Sequence, residues 1–162
     1  IHLQTLCAIA HYDYMIPGAY SYEGALAEMR EMELPYEDIE QMYKRIVFNI
    51  IARNQDDHSK NISFILKKGE EWRLAPAYDM CWAFNPSGEW TDRHQMTLNG
   101  KRDEFIEKDL LDFAAQQGIN KPDKIVENVK EAVSNWTGLA KQYEINNEVI
   151  KYIKKTHRLD LE

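Results

Sequence analysis

Cysteine is scarce in this chain of 162 residues, which contains only Cys7 and Cys81. The two lie far apart among apolar neighbours, and neither has a second cysteine at Cys-x-x-Cys spacing. This pattern excludes a zinc site built on paired cysteines and argues against a disulfide framework. We therefore expect a protein of a reducing compartment, the cytoplasm.

Glycine and proline are also few, at 7 and 5 residues, and no segment is repetitive or of low complexity. No apolar run approaches the roughly 20 residues that a membrane-spanning helix needs, which excludes a transmembrane role. Positively charged residues are also few: the chain has 20 Lys and Arg but 27 Asp and Glu, which gives a net charge of −7. Such a chain has no broad positive field, so we expect no direct binding of DNA or RNA.

Apolar residues make up 44% of the chain, which is enough to bury one core. We expect one domain over residues 1–160 and regard Leu161-Glu162 as a cloning remnant. Apolar side chains at helical spacing predict helices at the start of the chain and over 22–32, 39–51, 105–117, 123–143 and 147–157.

One β-hairpin is predicted between Ile62 and Leu74, where two short apolar stretches flank the turn sequence Lys67-Lys68-Gly69-Glu70. From Cys81 to Lys101 no period is sustained, and a connection of this length is typically functional or mobile. The expected fold class is mainly α (α+β), with one small hairpin.

The segment from Asn54 to Asn61 is polar at all eight positions. A solvated loop would explain this composition. However, the segment lies between a strongly apolar predicted helix and the hairpin, so both of its ends are fixed. A further acid, Asp79, stands just beyond the hairpin. We therefore expect the segment to hold its side chains in defined positions.

Phosphoryl transfer needs residues of this kind. One carboxylate orients the acceptor hydroxyl and takes its proton, while an amide and a second carboxylate hold Mg²⁺ on the nucleotide phosphates. Asp56 precedes Asn61 by five positions, the interval that separates the base from the metal-binding Asn in protein kinases. Asp79 follows the hairpin, as the second metal-binding Asp does in those enzymes.

The segment Asn54-x-Asp56-x-His58-x-Lys60-Asn61, followed by Leu74-Ala75-Pro76-Ala77-Tyr78-Asp79, resembles the catalytic core of the HipA family. Members of that family are serine/threonine kinases of bacterial type II toxin–antitoxin systems. Leu3–Cys7, Ala19–Ser21 and Asn99–Arg102 are similar to it as well. The resemblance implies that the chain is the helical C-terminal lobe of a protein-kinase-like fold.

The resemblance also implies roles for individual residues. Asp56 would be the catalytic base, and Asn61 and Asp79 would bind Mg²⁺, with ATP as the co-substrate. His58 would brace the loop by hydrogen bonding, and Lys60 would contact a phosphate. Asp57 stands at a variable position of the motif and receives no role.

The implied partners are a HipB-like DNA-binding antitoxin and a protein substrate such as an aminoacyl-tRNA synthetase. Kinase folds also need a lobe with a glycine-rich phosphate loop and a strand lysine. The seven glycines of this chain are isolated from one another. We therefore expect the ATP-binding lobe to come from another part of the same protein or from another chain, and expect little activity from this polypeptide alone.

Several alternatives stay open at this point. The chain could be a non-catalytic interaction module that retains the motif, a lipid or small-molecule kinase lobe, or a metal-dependent phosphohydrolase. A transition-metal cluster of Asp56, Asp57 and His58 is disfavoured, because adjacent side chains in a loop do not readily converge. Core packing is the preferred role, over an acceptor-binding surface, for Trp72, Trp82, Phe84 and Trp90. Surface or hydrogen-bonded positions are expected for His2, His11, His94 and His157.

Overall fold

The computed structural model describes residues 1–162, and the fold is mainly helical with one small antiparallel sheet. This confirms the expected class, a mainly α protein with a small β part. The helices are α1 (Leu6–Ile9), α2 (Tyr22–Glu31), α3 (Tyr36–Ala52), α4 (Glu107–Gln116), α5 (Pro122–Ser134), α6 (Trp136–Gln142) and α7 (Asn147–Thr156). The strands are β1 (His2–Thr5), β2 (Ser63–Leu66) and β3 (Arg73–Leu74). None of the helices has the length and apolar character needed to cross a bilayer.

Helix α3 is the central element of the core, as its apolar periodicity predicts. It begins after Pro35, and its fully buried face includes Tyr43, Ile46 and Ile50. It ends at Arg53, which adopts a left-handed backbone with φ of 58° and donates its N–H to the carbonyl of Asn49. Because α3 is buried along one side, the polar segment that follows it starts from a fixed point.

The predicted hairpin is confirmed as β2 and β3, but the sheet also contains β1. The strand order is β1-β2-β3, with Thr5 opposite Ser63 and Phe64 opposite Leu74. The prediction of a helix from the start of the chain is therefore wrong over His2–Thr5, and the helix begins at Leu6. Non-local pairing with β2 determines the conformation here, because the spacing of so few apolar residues fits either structure.

Asp38 of α3 anchors the outer strand of the hairpin. Its carboxylate accepts hydrogen bonds from Nε and Nη2 of Arg73 at 2.7 and 2.9 Å and from the Leu74 amide at 2.9 Å. Burial alone would raise the pKa of Asp38, but these hydrogen bonds outweigh it and lower the pKa below its ordinary value. The helix and the hairpin are thereby joined on the side that leads towards Asp79.

The predicted single helix over 123–143 is wrong, because the structure divides it into α5 and α6 at Asn135. The side chains of Ser134 and Asn135 both donate hydrogen bonds to the carbonyl of Glu131, at 2.7 and 3.1 Å. Such local bonds compete with regular helical bonding. The apolar spacing that predicted one helix continues across the break.

The long irregular connection is also present, between the end of β3 and the start of α4. It carries single backbone bridges that pair Thr97 with Ser21 and Ala83 with Asn54. These bridges fix it against α2 and against the polar segment. Cys7 and Cys81 are both free.

Candidate functional site

The polar segment Asn54–Asn61 is connected to the Asp79 region at its first residue. Asn54 is buried, and its Nδ2 donates to Oδ1 of Asn49 at 2.9 Å and to the carbonyl of Asp79 at 3.3 Å. The backbone adds two further bonds, from the Gln55 amide to the Ala83 carbonyl and from the Ala83 amide to the Arg53 carbonyl, both 3.0 Å. Asn54 therefore has a structural role in the motif that its sequence position alone did not reveal.

Asn61 and Asp79 lie side by side, as expected. Nδ2 of Asn61 donates to Oδ2 of Asp79 at 2.8 Å and to the carbonyl of Asp56 at 3.0 Å. One amide thus joins all three residues that the sequence singled out. Asp79 has a left-handed backbone with φ of 53°, which Asp tolerates better than most residues.

The carboxylate of Asp56 is accessible to solvent, with 44% of the side chain exposed. It borders a cleft of about 170 Å³ that is also lined by Tyr14, Met15, His58, Trp90 and Gln95. Its Oδ1 lies 3.6 Å from Nε2 of His58, a distance that allows electrostatic attraction but is too long for a hydrogen bond. A reacting group can therefore approach Asp56 from solvent.

His58 and Lys60 are both placed next to Tyr14. The imidazole of His58 lies 5.5 Å from the Tyr14 ring, and Nζ of Lys60 lies 4.7 Å above the same ring. The structure thus brings both side chains to the side of the site where the Asp56 cleft opens.

Tyr78 attaches the segment before Asp79 to the end of the polar segment. Its hydroxyl donates to the carbonyl of Lys60 at 2.6 Å and lies 2.5 Å from Oγ of Ser63. The two halves of the sequence motif are therefore joined at Asn54, at Asn61 and at Tyr78.

The donor atoms at Asn61 and Asp79 suit a hard divalent cation. Both amide hydrogens of Asn61 are used in hydrogen bonds, which leaves its Oδ1 without a protein partner. Oδ1 of Asp79 has only a weak contact, at 4.0 Å, with Sγ of Cys81. One carboxylate and one amide oxygen are typical protein ligands for Mg²⁺, which takes its other oxygens from water and phosphate. No group of three or more His, Cys, Asp or Glu side chains is placed to hold a metal ion.

Asp57, to which the sequence assigned no role, is fully buried at its side chain. Its carboxylate accepts hydrogen bonds from the Tyr22 hydroxyl at 2.5 Å, from Nδ1 of His94 at 2.7 Å and from the Gln95 amide at 2.7 Å. Burial raises the pKa of Asp57, but the hydrogen bonds from His94, Tyr22 and the Gln95 amide lower it by more, so the net pKa is below the ordinary value. No signal in the sequence pointed to this role, because the partners of Asp57 lie 35 to 38 positions away along the chain.

The aromatic residues near the site do not form one group. Trp72 packs against the core, as expected, whereas Trp90 is 41% exposed and lines the Asp56 cleft. Phe84 packs against Arg53, whose Cζ lies 4.1 Å from the centre of the ring. Trp82 donates a hydrogen bond from Nε1 to the hydroxyl of Thr156 at 2.8 Å. Of these residues only Trp90 fits the alternative that we kept open, an acceptor-binding surface.

Comparison with known proteins identifies the family. A search of curated proteins finds no match. The model of the family described as HipA-like C-terminal domain matches residues 1–136. The match contains the polar segment, the hairpin and Asp79, and it ends before α7. The chain is therefore a member of the HipA-like C-terminal domain family.

Proposed function

We propose that this chain is the catalytic lobe of an ATP-dependent serine/threonine protein kinase of a toxin–antitoxin system, with a kinase-like arrangement of its helices and hairpin. The observation that carries the proposal is the pair of hydrogen bonds from Asn61, to Asp79 at 2.8 Å and to the Asp56 carbonyl at 3.0 Å. They bring together an exposed carboxylate, an amide and a second carboxylate, which is the set that phosphoryl transfer uses. Membership of the HipA-like family supports the same reaction class.

Asp56 acts as the base in this proposal. Its half-exposed carboxylate faces a cleft that admits a side-chain hydroxyl. The carboxylate accepts the hydroxyl proton as the oxygen bonds to the γ-phosphorus of ATP, while the bond from that phosphorus to the β–γ bridging oxygen breaks and ADP leaves. His58, whose Nε2 lies 3.6 Å away, limits the orientations of that carboxylate. Lys60 contributes a positive charge beside the cleft, where it attracts the phosphate being transferred.

Asn61 and Asp79 hold Mg²⁺ in the proposed enzyme. The cation, when bound, neutralises negative charge on the nucleotide phosphates. The hydrogen bond between these two residues holds their side chains next to each other, and the link from Asn61 to the Asp56 carbonyl keeps the base at a fixed position relative to them. Positioning of this kind supplies a large part of the rate enhancement in phosphoryl transfer.

The proposal includes partners that complete the enzyme. The isolated glycines and the three short strands provide no phosphate-covering loop, so a separate nucleotide-binding lobe, in the same protein or in another chain, supplies it. A HipB-like antitoxin would neutralise the kinase, and its acceptor would be a protein such as an aminoacyl-tRNA synthetase.

Phosphotransfer measured on mixing tests the proposal. The chain is incubated with Mg²⁺ and γ-labelled ATP, alone and together with the proposed nucleotide-binding lobe, and labelled protein is quantified. We expect transfer only in the mixture, and loss of transfer in Asp56→Asn. Asp112→Asn, the same change at an exposed position of α4, serves as the matched control and should transfer normally.

Other outcomes would identify the alternatives. Tight association with the lobe without transfer under any condition would indicate an interaction module. Label appearing in lipid or in small molecules rather than in protein would indicate a different kinase class. Mg²⁺-dependent release of phosphate from p-nitrophenyl phosphate without nucleotide would indicate a phosphohydrolase. Each of these results would contradict the proposed protein kinase.

A further inference from the structure

The buried carboxylate of Asp57 is held from two distant parts of the chain. Tyr22 reaches it from α2, and His94 and the Gln95 amide reach it from the irregular connection. Asp57 is the residue directly after Asp56, so these bonds restrain the backbone that carries the proposed base.

His94, which is fully buried, is bonded on both ring nitrogens. Nδ1 lies 2.7 Å from Asp57, and Nε2 lies 3.0 Å from Nη1 of Arg158. A guanidinium can only donate hydrogen bonds, so Nε2 must accept and the ring proton must reside on Nδ1. This arrangement requires neutral His94 in a single tautomer. The Phe105 ring packs edge-on against the imidazole, 5.4 Å between centroids.

Arg158 is itself held by the C-terminal end of α3 and by Asp103. Its amide donates to the carbonyl of Ile51 at 2.8 Å, and its Nη1 donates to the carbonyl of Ile50 at 3.2 Å. Its Nη2 pairs with Asp103. Burial, assisted by Arg53, lowers the pKa of Arg158 to about 10, so the side chain remains charged at neutral pH. Arg158 thus links the C-terminal end of α3 to the imidazole of His94.

Arg158 lies outside residues 1–136, the range that matches the family model. We propose that Arg158 is a positioning residue: it holds His94 in the Nδ1–H tautomer, and His94 in turn holds Asp57 and sets the position of Asp56. The charged groups around His94 are Asp57 at Nδ1, Arg158 at Nε2 with its partner Asp103, and Arg102, whose Nε donates to the His94 carbonyl at 2.6 Å. The catalytic consequence rests on the proposed function, whereas the tautomer does not.

The tautomer is tested by nuclear magnetic resonance on the chain with ¹⁵N-labelled histidine. Two-bond ¹H–¹⁵N correlations at neutral pH should show a protonated Nδ1 and an unprotonated Nε2 for His94. In Arg158→Met this pattern should be lost, and Arg158→Lys, which retains a cationic donor, should restore it at least in part. The matched control is Arg93→Met, which removes the same charge from a side chain that is 60% exposed. A His94 protonated on Nε2, or one unaffected by Arg158→Met, would overturn the proposal.

Positioning is separated from general stability by hydrogen exchange. The Gln95 amide donates to Asp57 and the Asn61 amide to the carbonyl of His58, so both report on the polar segment. In Arg158→Met we expect their exchange to accelerate about tenfold, as the loss of one buried hydrogen bond would produce, while core amides such as that of Ile46 keep their rates. Equal acceleration of all three amides would show a merely structural role and would contradict the proposal.

The catalytic part is tested in the transfer assay with the nucleotide-binding lobe present. His94→Asn keeps a donor near the Nδ1 position but is too short to place an acceptor at the Nε2 position, where Arg158 donates. For this variant and for Arg158→Met we expect kcat to fall about ten- to a hundredfold with little change in the KM for ATP. A fall confined to KM would contradict the assignment. If no variant, wild type included, transfers phosphate, the proposed function fails while the tautomer and exchange measurements still decide the role of Arg158.

Discussion

Asn61 donates a hydrogen bond of 2.8 Å to Asp79, across a hairpin that separates the two residues by 18 positions in the sequence. The same amide nitrogen donates to the carbonyl of Asp56. Oδ1 of Asn61 has no protein partner, and Oδ1 of Asp79 has only a weak contact with Sγ of Cys81. Four predictions follow from this arrangement and from the contacts that support it.

Asp79→Asn should abolish cation binding while leaving the fold intact. Asn accepts a left-handed backbone at least as well as Asp, so the φ of 53° costs the variant nothing extra. In the wild-type chain, addition of MnCl₂ should broaden the amide resonances of Asn61 and Asp79 selectively. In the variant this broadening should disappear, and the thermal midpoint should change by no more than a few degrees. Undiminished broadening at Asn61 in the variant would place the cation elsewhere.

Asn54→Ala should loosen the Asp79 region. The substitution removes the bonds from Nδ2 to Asn49 and to the Asp79 carbonyl, and it leaves buried acceptors unpaired. We expect a loss of about 1–3 kcal/mol in the free energy of unfolding. Urea titration measures this loss, and hydrogen exchange at the Ala83 amide, which donates to Arg53, should accelerate as well. An unchanged midpoint would show that Asn54 is not structural.

Asp38→Asn should destabilise the chain by about 1–3 kcal/mol, because a neutral amide cannot accept the paired hydrogen bonds of Arg73 together with that of Leu74. The Arg73 side chain is half exposed, which keeps the loss below that of a fully buried ion pair. The matched change Asp112→Asn should alter stability by no more than about 0.5 kcal/mol. Equal effects of the two substitutions would contradict the anchoring role of Asp38.

Acid should destabilise the protein through Asp38 and Asp57. The pKa of each carboxyl is lower in the folded chain than its ordinary value of about 3.9, so each contributes stability that is complete above that value. This contribution is lost as the pH falls through the lowered folded pKa. Urea unfolding measured from pH 7 to pH 3 should therefore show a falling free energy below about pH 4. The decline should be smaller in Asp38→Asn, and a free energy that rose with acidification would exclude this account.

The parts of the fold that could be predicted from sequence are those with a local cause. The apolar stripe of α3 and the turn of the hairpin each lie within one short segment, and both were predicted correctly. β1 was not, because its partner strand is far away in the sequence and its few apolar side chains do not distinguish a strand from a helix. The break at Asn135 was missed because apolar periodicity reports burial and is insensitive to polar side chains that bond to the backbone.

The site shows the same division. Asp56, Asn61 and Asp79 could be singled out because their chemistry and spacing are those of a known reaction. The pairing of Asp57 with His94 could not, since no local pattern connects two residues 37 positions apart. In the sequence Asp57 resembles any acidic loop residue, and only its burial in the folded chain distinguishes it from Asp56.

The position of β2 in the middle of the sheet has a consequence for the order in which the protein is assembled. Thr5 cannot pair with Ser63 until every residue between them has been synthesised, so this contact is among the slow, non-local steps that delay folding. Helix α3 can form earlier from its own residues. A nascent chain would therefore carry a helical platform for some time before the strand leading out of the polar segment is secured, and the side chains of Asp56 and Asn61 would reach their final positions late.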